Sequence, residues 1–77
     1  MRIKIVLHSS LRTLLADDAK GRATLDLPEG SQISNVIDMF HIPDGVICAV
    51  NDQLEPSRER FLANEDMLRF LRPSVGG

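Results

Sequence analysis

Seventy-seven residues, 43% of them hydrophobic and 26% charged, make one domain, because a chain of this length falls below the range in which chains divide. Such a chain buries only roughly 60% of the surface that its unfolded form exposes, which argues against a large enclosed active site. Eleven acidic residues against nine basic ones give a net charge of −2, and that balance disfavours nucleic acid as a partner.

The single cysteine, Cys48, has no partner within the chain, and no Cys/His pairs stand at zinc-ligand spacing. The expectation is a cytoplasmic protein with no bound metal. The apolar stretch at the N-terminus is short for a signal peptide, and no run approaches the roughly 18 apolar residues of a membrane span, so no membrane contact is expected.

Arg2 to His8 alternates, with Ile3, Ile5 and Leu7 on one face, which predicts a half-buried strand. Ser10 to Gly21 reads as a long loop with one helical turn around Leu11, Leu14 and Leu15. Ala23, Leu25 and Leu27 alternate with polar residues up to Pro28 and predict a second strand. After the turn Pro28-Glu29-Gly30, the Ser31 hydroxyl is expected to cap a helix starting at Gln32 or Ile33. Ile33, Val36, Ile37 and Phe40 form its apolar stripe, and Pro43 stops it.

Val46 to Val50 is a continuous apolar run and predicts a strand covered on much of both faces, near the first strand. Asn51-Asp52 makes a tight turn into a short edge strand, Gln53-Leu54, that ends at Pro56. Ser57 to Ala63 is a connector anchored by Phe61 and Leu62. Beyond the turn at Asn64-Glu65-Asp66, Met67 to Leu71 closes the sheet with Leu68 and Phe70 on one face, parallel to the first strand. The order predicts an α+β layer pair: a mixed sheet of four to five strands with one main helix packed across it. Residues 1–71 form the domain and residues 72–77 a flexible tail.

Nothing within the domain has a catalytic pattern. Cys48 reads as a core thiol, His8 and His41 as structural or solvated residues, and Asp17-Asp18 and Glu65-Asp66 as solvated turns. The chain end differs. Gly76 and Gly77 carry no β-carbon, so the tail fits a narrow channel and can present its carboxylate to another protein's active site. From Arg72 to Gly77 the extended tail reaches roughly 20 Å. A carboxylate of pKa about 3.5 is a poor acyl donor, so it needs activation, for instance as a mixed anhydride with AMP.

These elements, with Leu25-Asp26-Leu27-Pro28-Glu29-Gly30-Ser31, Ala49-Val50-Asn51, Leu62 before Asn64-Glu65-Asp66, and the closing Val75-Gly76-Gly77, resemble the ubiquitin-like β-grasp sulfur carriers. That family includes the molybdopterin synthase small subunit and the thiamine sulfur-carrier protein. Two turns depart from it: the family commonly has Asn-Gly where this chain has Asn51-Asp52, and Gly-Asp where it has Glu65-Asp66. The closing Arg72-Pro73-Ser74 also differs from the Pro-Pro-Val of many molybdopterin members.

The resemblance implies a carrier rather than an enzyme, with no cofactor of its own. Gly77 would be adenylated by a ubiquitin-activating-like adenylyltransferase that uses ATP, and converted to a thiocarboxylate by a sulfurtransferase or cysteine desulfurase. The sulfur would pass to a molybdopterin synthase large subunit or to a thiazole synthase; the pathway, molybdenum or tungsten pterin cofactor against thiamine, stays open. Gly76 gives the tail access, and Val75, Arg72, Met67, Leu71 and Arg69 are the candidate docking residues, with Arg58 and Arg60 near them. Two rival readings are a ubiquitin-like modifier joined to lysines through Gly77 and a plain interaction module.

Overall fold

A computed structural model describes residues 1–15 and 20–73 of the chain. The alternating N-terminal segment forms strand β1, Arg2–Leu7, and a six-residue 3-10 helix, Ser9–Leu14, follows it and buries Leu11. Then come β2, Arg22–Asp26; α1, Ile33–Phe40; β3, Ile47–Val50; β4, Gln53–Leu54; and β5, Met67–Leu71. They build one five-stranded sheet in the order β2-β1-β5-β3-β4. β5 runs parallel to β1 and antiparallel to β3, and every other pairing is antiparallel. β3 is thus near β1 but separated from it by β5, which takes the place beside β1.

The period of two divides the sheet into two faces. Ile3, Ile5 and Leu7 of β1, Cys48 and Val50 of β3, and Leu68 and Phe70 of β5 point to one side, where Ile33 and Val36 of α1 join them in a single core. Ile37 and Phe40 pack against its margin, so the apolar stripe is helical and faces the sheet as its spacing requires. Phe70 and Leu68, both at 0% exposure, fully bury the inner side of β5.

The N-terminus of α1 overturns one expectation. Ser31 does not cap the helix, because its hydroxyl donates to the Pro28 carbonyl at 2.7 Å inside the preceding turn. Gln32 takes the cap position, and its N–H donates to Asn35 Oδ1 at 2.7 Å. The helical N–H groups of Ile33 and Ser34 donate to the carbonyls of Arg60 and Arg58 at 3.1 and 2.8 Å. The connector, remote in sequence, satisfies donors that a helix end otherwise leaves without partners. At the other end the helix stops at Phe40, before Pro43 is reached. His41 adopts the left-handed conformation (φ 54°), and Ile42 N–H donates back to the Ile37 carbonyl at 3.0 Å.

The connector is not anchored by Phe61, which is 66% exposed. Leu62 enters the core, and backbone bonds hold the rest: Leu62 N–H to the Ser31 carbonyl and a bridge between Gln32 and Phe61. The strand at 47–50 is covered on much of both faces, as its apolar run requires: Cys48, Ala49 and Val50 are buried and Ile47 is exposed.

Candidate functional site

The sheet face away from α1 carries the candidate docking residues, and the strand register fixes which of them meet. Ala49 of β3 lies opposite Leu54 of β4 on one side and Arg69 of β5 on the other, and Ile47 lies opposite Leu71. Arg69 and Met67 continue across to Val6 and Lys4 of β1, and these to Arg22 and Thr24 of β2. The result is an apolar field of Leu54, Ile47, Ala49 and Leu71 that grades through Arg69 and Met67 into a basic strip of Lys4 and Arg22. Leu54 is 74% exposed and Ile47 38%.

Arg69 lies between the two zones and is held in place. Its Nε stands 3.2 Å from Asp52 Oδ1, one terminal nitrogen 3.5 Å from His8 Nε2, and the other 4.0 Å from Met67 Sδ. Asp52 is solvent-exposed and the contact is an ion pair without a hydrogen bond to the enclosed Nε, so it contributes at most about 1 kcal/mol to stability. The Asp52 that makes this contact sits in the two-residue turn Asn51-Asp52, where both residues have positive φ, 50° and 69°. That conformation matches the twist of a tight hairpin, and it aligns Leu54 with Ala49. A shallow cavity of about 340 Å³, lined by Lys4, Val6, Arg22, Thr24 and Met67 among others, borders the basic strip.

A hydrogen-bonded anchor joins the turn after β3 to the start of β5. Asn51 Nδ2 donates to Asp66 Oδ1 at 2.9 Å, and Ala63 N–H donates to Asp66 Oδ2 at 2.8 Å. Asn51 Oδ1 accepts the Met67 N–H at 3.0 Å, while Asn51 N–H donates to the Met67 carbonyl at 2.9 Å. Asp66 is 7% exposed, so it is a structural residue and not the solvated turn residue expected from Glu65-Asp66; only Glu65, at φ 70°, fits that description. The carboxylate accepts two bonds and ties the turn before β5 to the hairpin after β3.

Of the docking candidates, Met67, Arg69 and Leu71 share the outer face, Met67 and Leu71 each half-buried. Arg72 is exposed and, with Pro73, lines a cavity of about 210 Å³ against Pro43-Asp44-Gly45-Val46. Arg58 is turned inward from any such surface and donates to the Val46 carbonyl at 2.5 Å; Arg60 pairs with Glu55 at 3.2 Å. Val75, Gly76, Gly77 and the pair Asp17-Asp18 lie outside the described residues. Sequence reasoning missed Leu54 and Ile47 as members of the exposed field. The signal was available: a two-residue turn fixes the register, and an apolar residue exposed in an edge strand follows from it.

Cys48 is 3% exposed, and burial pushes its thiol pKa above 9.0, with Glu55 acting in the same direction and Arg58 and Arg60 opposing it. This is the environment of an inert core thiol. His8 is half-buried beside Arg69 and His41 is exposed at the helix end. Among the described residues no group of three or more His, Cys, Asp or Glu is placed to hold a metal ion, and no helix is long and apolar enough to cross a membrane.

One helix across one face of a five-stranded mixed sheet with a central parallel pair defines the ubiquitin-like β-grasp class. No protein-family model and no curated protein matches the sequence. Solved structures do match in fold. SAMP1 from Haloferax volcanii superposes with a TM-score of 0.76 at 13% identity, with 100% of both chains covered. A protein from Pyrococcus furiosus described as subunit 1 of a molybdopterin converting factor gives 0.76 at 19% identity, covering 96% of this chain and 99% of its own. A complex of subunits 1 and 2 of the molybdopterin-converting factor from Helicobacter pylori gives 0.68 at 14% identity, with full coverage of both chains. The resemblance read from the sequence therefore extends to the fold over essentially the whole chain.

Proposed function

We propose that the chain is a sulfur carrier of molybdopterin, that is molybdenum or tungsten cofactor, biosynthesis, and that Gly77 is its reacting residue. The observation that supports this reading is the match in fold, across the full length, to two converting-factor small subunits, in a chain whose sequence closes with Val75-Gly76-Gly77. The carrier is a cosubstrate and supplies no general acid or base. A partner adenylyltransferase joins the Gly77 carboxylate to AMP with loss of pyrophosphate, and a sulfide equivalent from a sulfurtransferase displaces the AMP to leave a thiocarboxylate. ATP belongs to that activating partner.

The structure supports a division of labour in this scheme. Residues Leu54, Ile47 and Leu71 form an apolar field with Arg69 at its margin, the composition of a docking surface with an apolar centre and a charged rim. β5, which contributes Leu71 and Arg69 to that field, leads directly into Arg72 and Pro73. A large subunit that grips the field therefore receives the tail at a set distance. The complex of subunits 1 and 2 among the matched structures is the precedent for such a partner.

Incubation with a cognate adenylyltransferase, a sulfurtransferase and ATP, followed by intact-mass measurement, tests the proposal. A sulfur-for-oxygen mass gain at the C-terminus is expected, absent from a variant that lacks Gly77. Branched peptides on lysines without any thiocarboxylate would mean a protein modifier instead, and a mass unchanged by matched enzymes would leave only an interaction module. The same preparation offered a thiazole synthase in place of the pterin synthase large subunit separates the thiamine pathway.

A further inference from the structure

β2 ends the sheet on one side, and its backbone phase determines what that edge offers. Met1 and Leu27 exchange bonds, with Leu27 N–H donating to the Met1 carbonyl and the Met1 amine to the Leu27 carbonyl, and Leu7 N–H donates to the Gly21 carbonyl. In an antiparallel ladder such pairs alternate, so Ala23 and Leu25 also direct their N–H and C=O groups to β1. Arg22, Thr24 and Asp26 direct theirs outward. Among the described residues no bond outside the ladder reaches these six groups.

The opposite edge is treated differently. β4 has only two residues, and Pro56 follows it closely, which is how natural sheets discourage further pairing. β2 is five residues long, without proline or bulge.

We propose that this edge pairs with the same edge of a second copy of the chain, antiparallel and centred on Thr24. The charge pattern selects the occupant and the register. With the two-fold axis at Thr24, Arg22 faces the second copy's Asp26, Asp26 faces its Arg22, and threonine faces threonine. All six side chains share the outer face, where opposite-charge and Thr–Thr cross-strand pairs are favourable. Ala23 and Leu25, half-buried on the inner face, fall opposite Leu25 and Ala23 of the other copy. Registers centred on Arg22 or on Asp26 set like charges against each other, and those centred on Ala23 or Leu25 leave an outward-facing residue of each copy unpaired.

Arg2 already stands opposite Asp26 within the sheet, so each row reads Arg2, Asp26, Arg22 of the second copy, with alternating sign. A two-fold axis perpendicular to the sheet keeps both α1 helices on one side, makes a ten-stranded sheet, and leaves β5 and the route to the tail two strands away from the junction in each copy. A junction of five residues per strand falls below the area of a standard stable interface, so the association is concentration-dependent and readily reversed.

Sedimentation analysis up to about 1 mM, with amide exchange measured over the same range, tests this inference independently of the carrier reading. A monomer–dimer equilibrium is expected, with the N–H groups of Arg22, Thr24 and Asp26 gaining protection as concentration rises while those of Ala23 and Leu25 do not change. Arg22→Asp or Asp26→Arg alone, each setting like charges opposite one another, should weaken the association about tenfold or more. The double variant R22D/D26R should return within about threefold of the parent. A monomer at the highest concentration with those three amides still open, a dimer indifferent to the single substitutions, or a double variant no better than the singles would each overturn the proposal. The exchange pattern in the unmodified chain stands apart from any effect of the substitutions on folding.

Discussion

Replacing Asn51 by alanine removes more than its small side chain suggests. The carboxamide accepts the Met67 N–H and donates to the buried carboxylate of Asp66, so the substitution leaves the carboxylate with only the Ala63 N–H and the Met67 N–H with no carboxamide acceptor. A bond to a charged acceptor contributes about 1.5–3 kcal/mol and a neutral one about 0.5–1.5 kcal/mol. Alanine at φ 50° adds about 1 kcal/mol of backbone cost that asparagine largely avoids. Together these give a loss of about 4 kcal/mol, a large share of the roughly 4–12 kcal/mol that a domain of this size holds. Urea unfolding followed by circular dichroism should show a lower midpoint at an unchanged slope, and thermal unfolding a fall of about 15–30 °C. Asn51→Gly, which relieves the backbone but not the lost bonds, should recover about 1 kcal/mol of the loss. A loss below about 1 kcal/mol for Asn51→Ala would refute the view that this network ties the hairpin to β5.

Two further outcomes follow from the same geometry. Cys48 is held protonated by burial beyond the pH at which an unfolded thiol ionises, so above 9.0 the native state binds more protons than the unfolded state and stability falls as pH rises. The fall is confined to the window between the unfolded and the raised native pKa, and Cys48→Ala should remove it, a comparison helped by the absence of tyrosine from the chain. Leu54→Asp on the outer face should change stability by less than about 0.5 kcal/mol, because the side chain is largely solvent-exposed, yet weaken capture by a pterin synthase large subunit about tenfold by calorimetry. An unchanged affinity would move the docking surface elsewhere.

The strands, the helix and their faces were legible because each is written in a period of two or of 3.6 over consecutive residues. Ile3, Ile5 and Leu7 needed no partner to reveal their face. What escaped depended on residues distant in sequence. Ser31 looked like a cap because its type and position fit, but the carbonyls of Arg58 and Arg60 reach the helix end across more than 20 residues, and its hydroxyl is taken by Pro28. Phe61 looked like an anchor from its size, although the connector is held by its backbone. Asp66 looked solvated because acidic pairs in turns generally are, and only the fold brings Asn51 beside it. The exposed field of the outer face became visible once hairpin register placed Leu54 against Ala49.

The placement of β5 ties these features to the proposed chemistry. A strand paired on both sides, parallel to β1 and antiparallel to β3, with both inward side chains fully buried, belongs to the part of a domain that opens least. The same strand carries Met67, Arg69 and Leu71 on its outer face and leads into Arg72 and Pro73. Met67, Arg69 and Leu71 of the proposed docking surface and the base of the tail therefore share one strand, and Ile47 and Leu54 are tied to it through the ladder of β3 and β4. The turn into β5 is held by Asp66 and Asn51, which makes that network part of the same geometry. Under the proposed reading, in which the partner supplies the catalytic groups, proximity and orientation are what this chain would contribute to the reaction, and a shared strand provides them.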